Sequence, residues 1–133
     1  MVQYTRFSFL SWRVRLPLRV QKNTDCSIIM KELKPSVRYY IGENYMFALY
    51  VYSDEPEIKY LSNVFVDKNS RGKGLGNGIL QKAEIEARKM GGAYLRLKCL
   101  SSFWVHVWYG KHGYSDLCVD NNDVSYVWME KKI

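Results

Sequence analysis

The sequence predicts an α/β (α+β) fold, one domain with a mixed, mostly antiparallel sheet flanked by helices. Three observations lead there. An apolar run ending Val64-Phe65-Val66 passes through the glycine-rich, basic segment Ser70-Arg71-Gly72-Lys73-Gly74-Leu75-Gly76 into a helical pattern and then a second apolar run, the order of strand, crossover helix and strand. Polar turns joining apolar runs on either side of that unit add antiparallel hairpins. A chain of 133 residues with 47% hydrophobic content is long enough for one compact core and short for two.

Each element has its own signature. Trp12, Val14, Leu16, Leu18 and Val20 alternate with Arg13, Arg15, Pro17 and Arg19, the period of a half-buried strand with a basic outer face. Pro17 has no N–H for a ladder and makes it an edge strand. Its arginines either blunt that edge or offer a site to an acidic partner. Asn23-Thr24-Asp25 supplies capping residues before Ile28, Ile29, Met30 and Leu33, and Pro35 stops the run, predicting a short helix. Val37 to Ile41 is a brief strand. Tyr45 to Tyr52 is a second, dense in aromatic and β-branched residues. The polar turn Ser53-Asp54-Glu55-Pro56-Glu57 joins it to Ile58 to Val66 in a hairpin.

From Leu75 to Met90 the apolar residues Leu75, Ile79, Ala83, Ala87 and Met90 recur in steps of four and three, with Leu80 beside them, so the segment is an amphipathic helix. Glu84 and Arg88, four apart, form a helix-supporting pair, and Gly91-Gly92 supplies a left-handed stop. Ala93 to Leu100 reads as a strand and Ser102 to His112 as a short helix closed by Gly113. Tyr114 to Val119 and Val124 to Lys131 are strands about the turn Asp120-Asn121-Asn122-Asp123.

Composition removes several function classes. No run of about 18 apolar residues exists, and Arg6, Arg13 and Arg15 interrupt the apolar N-terminal stretch, so neither a membrane span nor a signal peptide is expected. The expectation is a soluble, cytoplasmic protein without a membrane partner, monomeric or homodimeric. Cys26, Cys99 and Cys118 are odd in number, have no C-x-x-C spacing and only His106 and His112 to assist them. This argues against a disulfide framework and against a zinc site, and no metal is expected. The net charge of +7 favours polyanions, which leaves nucleic acid, a phosphorylated coenzyme or plain solubility open.

The glycine segment carries the chemistry. A helix start leaves its first N–H groups without internal partners and carries partial positive charge, so it accepts anionic oxygens. Gly72, Gly74 and Gly76 permit close approach, and Arg71 and Lys73 add charged donors. The spacing fits neither a dinucleotide fingerprint, since the third position falls on Asn77 or Ile79, nor a G-x-x-x-x-G-K-[ST] loop. What remains is R-x-x-G-x-G with Arg71, Gly74 and Gly76 in the named places. Here the chain resembles the GNAT acetyltransferase superfamily. A second motif, Trp108-Tyr109-Gly110-Lys111-His112-Gly113-Tyr114, resembles the aromatic pair and Gly-Tyr that follow the phosphate loop in that family. The resemblance spans about Tyr45 to Lys131. It implies a single GNAT-like domain over residues 1–133 with a short divergent region over about 1–43, and a sheet whose central strands, Ile58 to Val66 and Ala93 to Leu100, splay apart.

The resemblance further implies an N-acetyltransferase that moves an acetyl group from acetyl-CoA to a primary amine of a small molecule or protein by direct attack. Backbone amides at Val64, Phe65 and Val66 would hold the pantetheine arm. Amides of Gly72, Lys73, Gly74, Leu75 and Gly76, with the Arg71 and Asn77 side chains, would hold the phosphates. Tyr109 matches the tyrosine that protonates the departing thiolate, a task suited to a phenol that stays protonated at neutral pH. Ser102 stands where many relatives carry asparagine and would bond the pantetheine. No carboxylate matches the glutamate base of some relatives, that region reading Lys59-Tyr60-Leu61-Ser62. Cys99 and His106 read as packing residues before they read as catalytic ones. The alternative class is a non-catalytic coenzyme-A-binding or basic nucleic-acid-binding module.

Overall fold

The computed structural model describes residues 2–4, 19–20, 28–29, 35–72, 74–120 and 123–133. Among them are strands β1 (Val2–Tyr4), β2 (Arg19–Val20), β3 (Ile28–Ile29), β4 (Ser36–Ile41), β5 (Tyr45–Val51) and β6 (Ile58–Val66). They are followed by helix α1 (Leu75–Lys89), β7 (Tyr94–Leu100), α2 (Trp104–Lys111), β8 (Ser115–Val119) and β9 (Tyr126–Lys132). Seven strands form one sheet in the order β1-β4-β5-β6-β7-β9-β8, and β2 pairs with β3 apart from it. The fold is the α+β arrangement expected, antiparallel except at β6 and β7, which run parallel because α1 crosses between them.

The middle of the sheet is where the sequence is most continuously apolar. Phe47, Ala48, Leu49 and Tyr50 of β5 are fully buried, as a strand covered on both faces requires. On one face α1 lays Ile79, Leu80, Ala83 and Ala87 against Phe47, Leu49, Leu61, Leu95, Leu97 and Met129. Each large side chain buried this way contributes about 1.5–3 kcal/mol. The other face gathers Ala48, Tyr50, Tyr52, Ile58, Tyr60 and Trp128.

Helix α1 ends where its glycines require. Gly91 has φ +82°, its N–H donates to the Arg88 carbonyl at 2.9 Å, and the Gly92 N–H donates to the Ala87 carbonyl at 2.8 Å, a paired closure that satisfies the last carbonyls. Glu84 departs from the surface role its spacing to Arg88 suggests. It is buried, accepts from the Tyr114 hydroxyl at 3.0 Å and from Lys131 Nζ at 3.1 Å, while Arg88 stands 3.9 Å away.

Strands β6 and β7 share only three register pairs, Ile58 with Tyr94, Lys59 with Leu95 and Tyr60 with Arg96. That end is tied by a buried cluster. Arg96 Nε donates to Glu130 at 2.6 Å, one of its terminal nitrogens donates to the Tyr60 hydroxyl at 3.1 Å, and Glu55 lies 3.8 Å away. Beyond it the strands separate, which is the splay expected.

Some expectations meet a different outcome. Ile28–Ile29, placed in a helix by capping residues and Pro35, is a strand paired with Arg19–Val20, in keeping with the extended preference of adjacent β-branched residues. The rest of that segment, Pro17 with Arg13 and Arg15, and turn residues Asn121 and Asn122 lie outside the described residues. Cys118 is disulfide-bonded, against the expectation from the odd cysteine count, and Cys26 lies outside the described residues.

Candidate active site

The site is built where β6 and β7 part. The β6 ladder to β5 slips on the way, with Ala48 opposite Ser62 but Met46 opposite Phe65, so β6 carries one extra residue, a bulge. Asn63 sits in it at φ +55°, a conformation no other non-glycine among the described residues adopts. Asparagine tolerates it better than most side chains. Past the bulge Val64 and Phe65 stand 45% and 51% exposed, an apolar lip rather than part of the core.

The chain leaves β6 through a short 3-10 turn, Lys68–Ser70, and Arg71 folds back over the strand end. Its Nε donates to the Val66 carbonyl at 3.0 Å and its guanidinium lies 5.8 Å from the Phe65 ring centroid. Gly72 and Gly74 have φ of +79° and +77°, with open space on the side where a Cβ would stand. Gly74 is the left-handed residue that starts α1, and no side chain caps that start. The first N–H groups of α1 therefore face the cavity without a side-chain acceptor, beside a guanidinium, which is a setting for a phosphate.

Helix α2 forms the opposite wall. Trp108 stands over Gly76, where an added Cβ would lie 3.5 Å from its ring. His112 closes the helix by donating from Nδ1 to the Trp108 carbonyl at 2.8 Å, and its Nε2 lies 3.1 Å from Asn77 Oδ1 on α1. Tyr109 is half-buried, its ring packed at right angles to Trp108 and Tyr114, 5.1 and 5.6 Å between centroids. Burial, with Cys99 nearby, pushes its hydroxyl up to about 12, so Tyr109 holds its proton at any physiological pH.

Between these walls lies a cavity of about 590 Å³. Strand β6 lines it with Leu61, Val64, Phe65 and Val66, and the turn with Ser70, Arg71, Gly72 and Gly74. Helix α1 adds Leu75, Gly76, Asn77, Ile79 and Leu80, and α2 adds Trp104, Val105, Trp108 and Tyr109. One end is apolar and the other is glycine-lined and basic. Of the residues singled out in the sequence, Val64, Phe65, Val66, Arg71, Gly72, Gly74, Leu75, Gly76, Asn77 and Tyr109 all meet here. Lys73 lies outside the described residues. Ser102 is exposed in the turn before α2 and is not part of the wall. Trp104 and Val105 escaped the sequence reading, although the pattern 104, 105, 108, 109 marks one face of a helix.

The other candidates are engaged elsewhere. Cys99 is buried with its Sγ 3.7 Å from Met129 Sδ, and burial, with Asp116 second, pushes its thiol up to about 11. A thiol so protonated is a poor nucleophile. His106 Nε2 meets Asp116 Oδ1 at 2.7 Å on the β8 side of α2. Glu55 accepts from the Tyr60 hydroxyl at 3.2 Å, at the closed end of the strand pair.

Residues 36–116 match the acetyltransferase (GNAT) domain. No curated protein sequence matches the chain. Among solved structures it is similar to an acetyltransferase from Bacillus cereus ATCC 14579, with 22% identity, 80% of this chain and 81% of that chain covered, and a TM-score of 0.58. It is also similar to the PaiA N-acetyltransferase from Thermoplasma acidophilum in complex with coenzyme A, at 21% identity, 75% and 62% coverage and a TM-score of 0.57. A third is the ribosomal-protein-S18-alanine N-acetyltransferase from Escherichia coli, at 18% identity, 77% and 72% coverage and a TM-score of 0.58. At these identities the structures speak for the fold. Among the described residues no helix is long and apolar enough to cross a membrane.

Proposed function

The chain belongs to the acetyltransferase (GNAT) family, and on that premise we propose that it is an acetyl-CoA-dependent N-acetyltransferase acting on a primary amine of a small molecule or a protein. The observation that carries this reading is the two-part cavity between the splayed strands. Its apolar length, walled by Leu61, Val66, Ile79, Leu80 and Val105, suits a pantetheine arm, and its glycine-lined end beside Arg71 suits the phosphates. A coenzyme complex in the similar PaiA enzyme supports the same ligand class.

The coenzyme supplies the activated acetyl thioester, and the residues of this chain do the rest. Backbone N–H groups of Gly72, Gly74, Leu75 and Gly76, with Arg71 and Asn77, hold the charged end. The exposed lip at Val64, Phe65 and Val66 offers backbone donors along the arm. Holding two reactants in attack geometry lowers a barrier by about 7–11 kcal/mol in favourable cases. Tyr109 keeps a proton at its hydroxyl for the departing thiolate, and because its phenol lies above the thiol's ordinary value of about 8.5, the transfer is completed by the proton that the attacking amine gives up, which restores the phenol.

Two measurements test the reading. Calorimetry should detect acetyl-CoA binding, whereas salt-dependent binding of short nucleic acids alone overturns it. Tyr109→Phe should slow turnover by about a hundredfold or more, the usual worth of a positioned acid, with coenzyme affinity unchanged. Undiminished turnover would remove Tyr109 from the role.

A further inference from the structure

The face of the sheet opposite α1 carries a feature that coenzyme binding does not use. The Asn63 side chain turns away from the cavity, toward the face opposite α1, where its Oδ1 accepts from the Tyr50 hydroxyl at 3.1 Å. Tyr50 is fully buried and is hydrogen-bonded in turn to Tyr39. Burial, reinforced by the Tyr39 contact, holds the Tyr50 phenol well above its ordinary pKa. With the Tyr50 proton given to Asn63 Oδ1, the carboxamide oxygen faces inward. Its oxygen is taken and its NH₂, which meets no acceptor among the described residues, is left as the outward group.

The position matters as much as the chemistry. Asn63 lies just past the last β6–β7 pair, where a strand gap opens through the sheet. Across the gap Lys98 is two residues beyond the same pair, on the same face as Arg96. It is held by Asp120 at 3.3 Å and lies 5.2 Å over the Tyr126 ring. Both limbs therefore bring hydrogen-bond donors to the face opposite the coenzyme cavity.

We propose that Asn63 is a specificity-determining residue for the acceptor, its NH₂ donating to a carbonyl or carboxylate oxygen next to the reacting amine, so that the enzyme takes α-amino acyl compounds in preference to simple alkyl amines. This rests on the acetyltransferase reading above. A site that donates to a substrate oxygen discriminates strongly against the analogue lacking it, because the donor is then left unpaired.

L-alaninamide and isopropylamine differ in this carbonyl group and make the test, with rates corrected for the fraction of free amine and calorimetry of acetyl-CoA run alongside. The wild-type protein should favour L-alaninamide in kcat/KM by about tenfold or more. Asn63→Asp keeps the shape, the tolerance for positive φ and the bond from Tyr50, but presents an acceptor in place of the donor. It should remove that preference through KM with coenzyme affinity unchanged. Tyr50→Phe frees the carboxamide and should weaken the preference less. Equal use of the two amines by the wild type, or an unaltered preference in Asn63→Asp, overturns the proposal while leaving the acetyltransferase reading intact. Failure of the wild type to bind acetyl-CoA overturns both.

Discussion

The two halves of the β6–β7 pair are made from the same two strands and do opposite things. At residues 58–60 and 94–96 they share a ladder and enclose a charged cluster, Arg96 with Glu130, Glu55 and Tyr60. A few residues on, the ladder is gone, the backbone bulges at Asn63, and the space between is walled by apolar side chains, glycines and a phenol kept neutral. The closed half pairs its buried arginine internally. The open half leaves its polar backbone groups for a ligand, and it can do so because the other half anchors the strands.

Breaking the closed half should have the largest effect. Arg96→Met removes the cation from a carboxylate held at 2.6 Å, and one-sided loss of a buried pair costs about 3–5 kcal/mol. Denaturant unfolding should register that loss. Coenzyme affinity of the molecules that remain folded should stay near wild type, and an equal loss in both would mean that the halves are not separable.

A smaller effect is expected at the other end. Gly74→Ala places a side chain at φ +77°, a conformation that costs an L-residue about 1–2 kcal/mol. Nothing crowds the added Cβ, so the cost is one of backbone strain in the loop. The loop of the free variant relaxes away from the left-handed start, and calorimetry should register the cost of restoring it as a loss of about tenfold in acetyl-CoA affinity, while the denaturation midpoint moves only modestly. A stable variant with intact affinity would show that the left-handed start of α1 is not needed.

Alkaline pH should bring the smallest change up to about pH 9 and a growing one beyond it, shared by the open half with the buried Tyr50 and Tyr114, whose phenols burial also raises. Tyr109 is raised from 10.0 to about 12 and Cys99 from 9.0 to about 11, each chiefly by burial. Both are neutral when folded, so the unfolded chain ionises first. Their contribution is whole below about pH 9 and is lost as pH climbs from 9 through 12. Unfolding monitored over that range should show the decline, and Cys99→Ala should delay its onset relative to the parent. Arg96 stays charged throughout and adds nothing to it.

Much of this was legible in the chain because local rules and tertiary outcome agree. The period of α1, the glycine pair that stops it and the run Ile58 to Val66 became elements at the expected places, the helix ending at Lys89 and not at Met90. The cavity wall was also largely readable, since glycine spacing and an aromatic pair act through residue type. What escaped depends on partners distant in sequence. Nothing near Glu84 announces Tyr114 and Lys131 beneath it, and Arg96 looks like the polar position of an alternating strand until Glu130 is brought alongside. The Asn63 bulge escaped for a related reason, since one extra residue in a ladder is visible only against the partner strand. Ile28–Ile29 escaped because capping residues and a following proline described a helix that strand pairing displaced.

Helix α2 holds one further lesson. At eight residues it is too short to persist alone in water, and it buries no residue completely. It keeps its shape by packing Val105, Trp108 and Tyr109 on the core and by leaning on the first turn of α1, Trp108 over Gly76 and His112 against Asn77. Its order is borrowed. Whatever settles on that first turn stiffens one of the surfaces α2 rests on, so a ligand's charged end would reach Tyr109 through packing, without touching it.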